Sequence, residues 1–348
     1  MMARKVTSLD VARAAGVSQS AVSRVFTEGA SVSPAMETRV RKAAEALGYR
    51  PNVLARSLIT GRSRIVGVVV AYLDNPFFAE AVERLSHALQ AEGYHLLMFT
   101  VGNSDADLDR VVGELMDYQV DALVAASINL SGELVERCAA AGLPVVLFNR
   151  GIAGSGLSAI TSDNRAGAGR VARFLAQGGH ARIAHISGWQ GSSTGRDRLD
   201  GFRAGLAETG QDLLAAPDGM YRRDTAAEAA RDLMARSDPP DAIFVGNDYM
   251  ALAVMDTLRH DLGLSIPGDV SVVGYDDIAP AAWPTYDLTT LRQPARRMVA
   301  ATVAEILALI ASPDRHPQRT EIDGPLVVRG SARIPDDWPA TAPAEGRA

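Results

Sequence analysis

The sequence predicts a small all-α head joined to a much larger α/β body built as two doubly wound parallel-sheet subdomains. Three observations predict it. Helix caps, turn residues and short apolar periodicities crowd the first 50 residues. From Ile65 onward, apolar runs of strand length alternate with helical stretches, and that alternation begins again after Ser162. Charge divides the chain where the head ends. Residues 1–64 hold eleven Lys and Arg against four Asp and Glu, a net of +7, leaving −13 on the rest of a chain whose total is −6. A basic head on an acidic body points to phosphate contacts made by the head alone.

In the head, Thr7 or Ser8 can cap a helix over Leu9–Ala15, with Asp10 near its positive end and Gly16 stopping it. Only Val17 and Ser18 separate it from a second helix, Gln19–Phe26, which Ser18 can cap. Two short helices joined by a tight Gly-containing turn form a helix-turn-helix. Leu9, Val11, Ala12, Ala15, Val17, Val22 and Val25 then supply the apolar faces, and Gln19, Ser20 and Arg24 are left outward. Gln can read an adenine edge bidentately and Arg a guanine edge, which suits a major groove. Ser33-Pro34 opens a third helix that runs to Leu47-Gly48, and Val40, Ala43, Ala44 and Leu47 are expected to close a miniature core.

In the body, strands are expected at 65–73, 95–101, 121–127, 143–149, 182–187, 242–247 and 271–276. Helices are expected between them at about 77–91, 106–118, 131–141, 164–177, 195–209, 225–236 and 248–259. Near-continuous apolar strands such as IVGVVVAYL belong to a parallel sheet covered on both faces. Two such halves imply a cleft. Polar residues gather at strand ends, where open α/β sheets take ligands: Asn149, Asn247-Asp248 and Tyr275-Asp276-Asp277, with Arg196 and Arg198 opening a helix and Gln293 in a late crossover. Asp248 itself reads as a helix cap. Amides, carboxylates and arginines from several strand ends suit a ligand with many hydroxyls.

Several classes are disfavoured. No apolar run approaches the ~20 residues of a membrane span, and the N-terminal stretch lacks a signal peptide's pattern, so a cytoplasmic location is expected. Cys138, the single cysteine, lies in a helical pattern and reads as a buried structural thiol. No phosphate-binding G-x-x-x-x-G-K-[ST] loop occurs, and GIAGSG at 151–156 has the wrong spacing for a dinucleotide fingerprint. The six histidines show no metal-ligand spacing, so neither metal nor cofactor is expected, and an enzyme is disfavoured. A binding protein for transport is the other rival; it leaves the head unexplained.

The stretches LDVARAAGVSQSAVSRVF and VSPAMETRVRKAAEALGYRPNVLARSL resemble the head of the LacI–GalR family of transcriptional regulators, and the body resembles periplasmic sugar-binding proteins. The resemblance implies base-reading roles for Gln19, Ser20 and Arg24. It implies backbone or supporting contacts for Thr7, Ser18 and Ser23. Asn52–Leu58 falls on the family's hinge helix, which folds on DNA; Ala55 matches the packing position between paired hinges, and Leu58 the leucine that wedges open a base step in the minor groove. Ala21 and Phe26-Thr27 depart from the family's usual residues. In the body, Asn149, Arg196, Asn247, Asp276 and Gln293 match effector-contacting positions. Phe77 and Phe78 lie on a cleft wall or pack at a helix start, and Tyr221 falls near an aromatic position against the sugar ring. Asn149 stands where an acid is frequent. Asp163-Asn164 and Gly167 match an architectural junction.

The expected organisation is a head over 1–50, a hinge helix and linker over 51–62, a body over 63–333 and a disordered tail over 334–348. Within the body, 63–162 with 294–322 forms one subdomain and 163–293 with 323–333 the other. The resemblance implies a regulator, expected to be a repressor, acting as a homodimer on near-palindromic double-stranded operator DNA, controlled allosterically by a sugar or sugar derivative. A nucleobase-responsive regulator of the same fold is the alternative. The tail has no leucine heptads, so no zipper-built tetramer is expected.

Overall fold

The computed structural model describes residues 6–26, 30–50, 62–101 and 105–338. The chain divides into two compact units, Met1–Ser63 and Arg64–Ala348.

Among the described residues, the first unit holds three helices, α1 (Ser8–Ala15), α2 (Gln19–Val25) and α3 (Pro34–Ala46). Thr7 closes a capping box with Asp10 at the start of α1, and Gly16 ends that helix at φ 64°, a left-handed conformation that glycine adopts without Cβ strain. Ser18 caps α2 through its Oγ, which accepts from the Ala21 N–H at 3.2 Å. Ser33 caps α3 in the same way, with Pro34 at the first helical position. Val11, Ala12, Ala15, Val22, Val25, Val40 and Ala44 form the small core. Leu9 and Leu47 do not join it: they are 42% and 38% exposed. Each lies within a residue or two of a helix end, where a periodic apolar position no longer points at a neighbouring helix.

Among the described residues, the second unit holds two six-stranded sheets. The first contains β1 (Ile65–Val70), β2 (His95–Thr100), β3 (Ala122–Ala126), β4 (Val145–Phe148), β5 (Ser158–Ser162) and β11 (Arg319–Ile322), in the order β11-β5-β4-β3-β1-β2. The second contains β6 (Ile183–Ile186), β7 (Leu213–Ala215), β8 (Ala242–Val245), β9 (Ser271–Asp276), β10 (Thr289–Arg292) and β12 (Leu326–Val327), in the order β12-β10-β9-β8-β6-β7. Every pairing is parallel except β10 with β12. The chain leaves the first sheet after β5 and returns to its edge as β11, after the helix Ala295–Ala311.

Both faces of each sheet are covered, which explains the apolar strands. Val66, Val68 and Val70 face one side of β1, under helices Pro76–Ala91 and Ala295–Ala311, while Val69 faces the other, with Leu115 and Cys138. Cys138 is a buried thiol in this layer, and burial pushes its pKa up. The second sheet is covered on one face by helices Asn164–Gln177 and Ser193–Glu208.

Several boundaries differ from the sequence expectation. β1 stops at Val70 because Tyr72 turns the chain at φ 62°, and β4 stops at Phe148 because Asn149 does so at φ 69°. The helix expected over 248–259 is α-helical through Asp256 and widens into a looser turn over Thr257–Asp261. β5, β7, β11 and β12 lack the long apolar run that marks a central strand; β7 and β12 are also only three and two residues long. The tail is not featureless from 334: Trp338 packs edge-on against Phe174, ring centroids 4.9 Å apart. Residues 339–348 lie outside the described residues. Among those described, no helix is long and apolar enough to cross a membrane.

Helices Asn164–Gln177 and Ser193–Glu208 approach so closely that a Cβ on Gly201 would sit 2.3 Å from the Arg165 carbonyl oxygen. Backbone cannot yield as a side-chain tip can. Gly201→Ala is therefore expected to lower unfolding free energy by about 1–3 kcal/mol. Gly132→Ala, with nothing within 4 Å of its added Cβ, is the control; equal urea midpoints for the two variants would contradict the close packing.

Candidate functional site

Each sheet has a point where its strand order reverses: between β1 and β3 in the first, and between β6 and β8 in the second. Crevices form at the carboxyl ends of strands at such points. The residues that follow those strands line a single cavity: Tyr72, Asn75 and Ser127 from one wall, Thr194, Arg198 and Asn247 from the other. Of the residues expected to contact a ligand, Phe77, Phe78, Asn149, Tyr221, Asn247, Asp276 and Gln293 all line it.

Arg196 does not. Its side chain is exposed and donates to the Gln190 carbonyl oxygen at 3.0 Å. Arg198, two residues on, points inward instead: two positions rotate a helical side chain by more than half a turn. Its Nε donates to Asn164 Oδ1 at 2.8 Å and its Nη1 to the Gly246 carbonyl oxygen at 2.5 Å. The guanidinium lies 3.6 Å from the Tyr275 ring centroid and 3.7 Å from Asp276. Asp163 caps the helix Asn164–Gln177, so the junction around Asn164 is what fixes Arg198.

Asp276 is the electrostatic centre. It is 4% exposed; its Oδ1 accepts from Gln293 Nε2 at 2.7 Å and its Oδ2 from Asn75 Nδ2 at 3.3 Å. Asn75 belongs to the opposite wall, so this bond crosses the cleft. A second crossing lies at the mouth, where the Tyr249 hydroxyl donates to Asp74 Oδ2 at 2.8 Å. Burial pushes the Asp276 pKa up, and Arg198, Gln293 and Asn75 oppose that rise.

The other members divide their bonding between the protein and the cavity. Asn149 Nδ2 donates to Ser127 Oγ at 2.8 Å, while its Oδ1 is buried without a partner. Gln293 Oε1 and Arg150 Nε are likewise buried and unpartnered. Leaving such atoms unsatisfied costs about 1–3 kcal/mol each. Asn247 Oδ1 caps the following helix by accepting from the Met250 N–H at 3.0 Å, so only its Nδ2 remains for a ligand. The Tyr221 hydroxyl donates to Thr194 Oγ1 at 3.0 Å. Phe77 and Phe78 meet edge to face with centroids 5.2 Å apart, and they serve both as core and as wall.

Strain gathers at the same place. Tyr72, Ser127, Asn149, Tyr221 and Asp276 line the cavity with φ of 62°, 56°, 69°, 57° and 126°. Each such residue stores about 1–3 kcal/mol that its surroundings must offset, a pattern typical of ligand clamps.

Tyr72, Asp74, Asn75, Ser127, Arg150, Thr194 and Tyr249 are wall residues that the sequence expectation did not include. Usable signals exist for two of them. Arg150 directly follows Asn149 at a strand end, and Asn75-Pro76 repeats the cap-proline start of α3.

In the head, the exposed face of α2 carries Gln19, Ser20 and Arg24. Gln19 Nε2 donates to Ser8 Oγ at 3.0 Å, and Ser18 Oγ lies 2.9 Å from Ser20 Oγ. Thr7 and Ser18 hold the starts of the two helices, and Ser23 is half-buried on α2. Ala21, at the departure from the family pattern, is buried. Asn52, Ala55 and Leu58 lie outside the described residues. Among the described residues, no group of three or more His, Cys, Asp or Glu is placed to hold a metal ion.

Asp248 is not the cap expected of it; Asn247 is. Asp248 is fully buried, accepting from Thr290 Oγ1 at 2.6 Å and from the Ile278 N–H at 3.0 Å. Burial, and then repulsion from Asp276, push its pKa up. A carboxyl raised on folding favours its neutral form. Its stabilising contribution is complete below the unfolded value of about 4 and is lost as pH rises towards the folded one. Asp248→Asn fixes a neutral group that can donate to Thr290 and accept from Ile278. The urea midpoint of the parent is therefore expected to fall relative to the variant as pH rises above about 4; parallel pH profiles would contradict it.

Residues 7–52 match the family of bacterial regulatory proteins, lacI family, and residues 172–332 match the periplasmic binding protein-like domain. The chain is 35% identical over 333 residues to the HTH-type transcriptional repressor PurR of Photobacterium profundum, covering 94% of this chain and 98% of that one. Among solved structures, the lac repressor dimer bound to operator and the anti-inducer ONPF is similar with a TM-score of 0.85 and 25% identity, covering 94% of this chain and 99% of that one. The transcriptional regulator CelR–cellobiose complex is similar with a TM-score of 0.72 and 31% identity, covering 94% and 100%. With a matching head, a matching body and a relative this similar along nearly its whole length, the chain belongs to the lacI family of bacterial regulatory proteins.

Proposed function

We propose that this chain is a sequence-specific DNA-binding transcriptional regulator, acting as a repressor, whose operator affinity is set by a small polyhydroxylated ligand in the cleft. The observation that carries the DNA-binding half is the exposed Gln19, Ser20 and Arg24 face of a firmly capped α2, in a head of net charge +7. The head's charge supplies phosphate neutralisation; these three side chains supply base reading. Thr7, Ser18 and Ser23 act at the backbone or behind the base contacts; Asn52 and Leu58 act on the hinge that enters the minor groove, and Ala55 packs the paired hinges together.

Buried amide oxygens of Asn149 and Gln293 without partners, beside Asp276 and Asn247, support the ligand half. Hydroxyls both donate and accept, so a polyol satisfies acceptors and donors from both walls at once. Phe77, Phe78 and Tyr221 supply apolar faces for its ring. The solved CelR relative holds cellobiose, a sugar.

A homodimer fits the account, because two heads on successive half-sites match a near-palindromic operator; the lac repressor relative is a dimer on operator. A protein that acts on chromosomal DNA works in the cytoplasm. The working divisions are a head over 1–50, a hinge over 51–62 and a body over 63–333.

The test begins by selecting bound genomic fragments and measuring affinity for the recovered operator. Arg24→Ala is expected to weaken operator binding by about 1–3 kcal/mol, roughly fivefold to 150-fold, and to relax preference at one base pair of each half-site. Parent affinity should also fall steeply between about 50 and 200 mM salt. Unchanged operator affinity after removal of residues 1–62 would overturn this reading.

A further inference from the structure

Four charged side chains line the cavity: Asp74, Arg150, Arg198 and Asp276. Arg198 and Asp276 lie 3.7 Å apart and offset one another. Asp74 is exposed at the mouth and accepts from the Tyr249 hydroxyl. That leaves Arg150. It is 4% exposed, its Nε has no hydrogen-bond partner, and among the described residues no carboxylate pairs with it. A buried cation without a counter-charge is strongly unfavourable.

Its surroundings soften that cost without removing it. Three aromatic rings surround the guanidinium, with centroids 5.5 Å (Tyr72), 5.7 Å (Trp189) and 5.9 Å (Tyr221) from its carbon. Rings attract a cation through their faces but accept no strong hydrogen bond from its N–H edge. The fork of N–H donors on Arg is matched by an oxyanion, which accepts two parallel bonds.

We infer that the cleft's ligand carries an oxyanion, a carboxylate or a phosphoryl group, on its hydroxylated skeleton, and that Arg150 in its cage of Tyr72, Trp189 and Tyr221 is the group that selects it. The inference rests on the reading of the cleft as a polyol site and narrows it to acidic sugars. Tyr72 follows β1 of the first sheet, whereas Trp189 and Tyr221 follow β6 and β7 of the second. The cage therefore exists only when both walls meet. An anion bound there favours the closed cleft over an open one, which is the differential affinity that a ligand-driven switch requires.

The test uses the full-length protein and neutral and anionic ligands on shared skeletons: D-glucose, D-gluconate, D-glucuronate and glucose 6-phosphate, the matching galactose series, ribose with ribose 5-phosphate, and guanine. Calorimetric titration is expected to show at least one anionic member binding at least tenfold more tightly than its neutral parent. Gain by the carboxylates alone identifies a sugar acid, and gain by the phosphates alone a sugar phosphate. Arg150→Met should reduce that anionic-to-neutral ratio to below threefold, and Arg150→Lys should retain an intermediate ratio; operator binding by each variant checks that it is folded. If Arg150 is only a latch between the walls, Arg150→Met weakens acidic and neutral ligands in proportion, the ratio survives, and the inference is overturned. Neutral sugars binding as tightly as their acids overturns it while sparing the polyol reading. Binding of guanine alone, or of nothing in the series, removes the polyol reading and this inference together.

Discussion

A carboxylate buried at the end of a central strand has to be satisfied from several directions, and in this protein that requirement organises the cleft. Asp276 ends β9 at φ 126° and gathers Gln293 from its own half, Asn75 from the opposite wall, and the Arg198 guanidinium at its side. Each partner is fixed elsewhere. Asn75 also caps the helix Pro76–Ala91, and Arg198 is held by Asn164 and the Gly246 carbonyl. The walls meet where the two networks meet. Behind them, Asp248 sits close enough for a Cβ on Gly274 to fall 2.1 Å from its Oδ1, so the layer supporting the cleft has little room to shift.

Such an arrangement converts ligand binding into geometry. The bond from Asn75 to Asp276 and that from Tyr249 to Asp74 close the cleft with groups that also line it. A ligand that bonds to Asp276 competes for, or adds to, the contacts joining the walls. The balance between open and closed forms then follows its differential affinity for the two. The head supplies the other half of the linkage through charge and a small set of outward side chains, and its core is too small to tolerate many changes.

Much of this was legible in the residues themselves. Strands buried on both faces carry continuous apolar runs, so β1, β3, β4, β6, β8 and β9 announce themselves, as do helices with caps. The short edge strands β7 and β12 do not, because they have neither the length nor the burial to require such a run. The cavity was legible where amides and carboxylates end strands, at Asn149, Asn247 and Asp276. Choosing between Arg196 and Arg198 was beyond sequence alone. Both lie on one helix, and its phase against the sheet is set by Gly201 meeting the Arg165 backbone, a contact 36 positions away along the chain. The cage around Arg150 is not legible in the sequence, because its rings come from three separate loops. Spacing within a loop does not show which loops converge.

If cleft and head form one thermodynamic system, linkage reveals it most directly. Calorimetric titration of the tightest-binding sugar-series ligand is made into the full-length protein alone and into its complex with operator duplex. Operator is expected to change ligand affinity by the same factor, and in the same direction, as saturating ligand changes operator affinity. Identical ligand affinity with and without operator would contradict it.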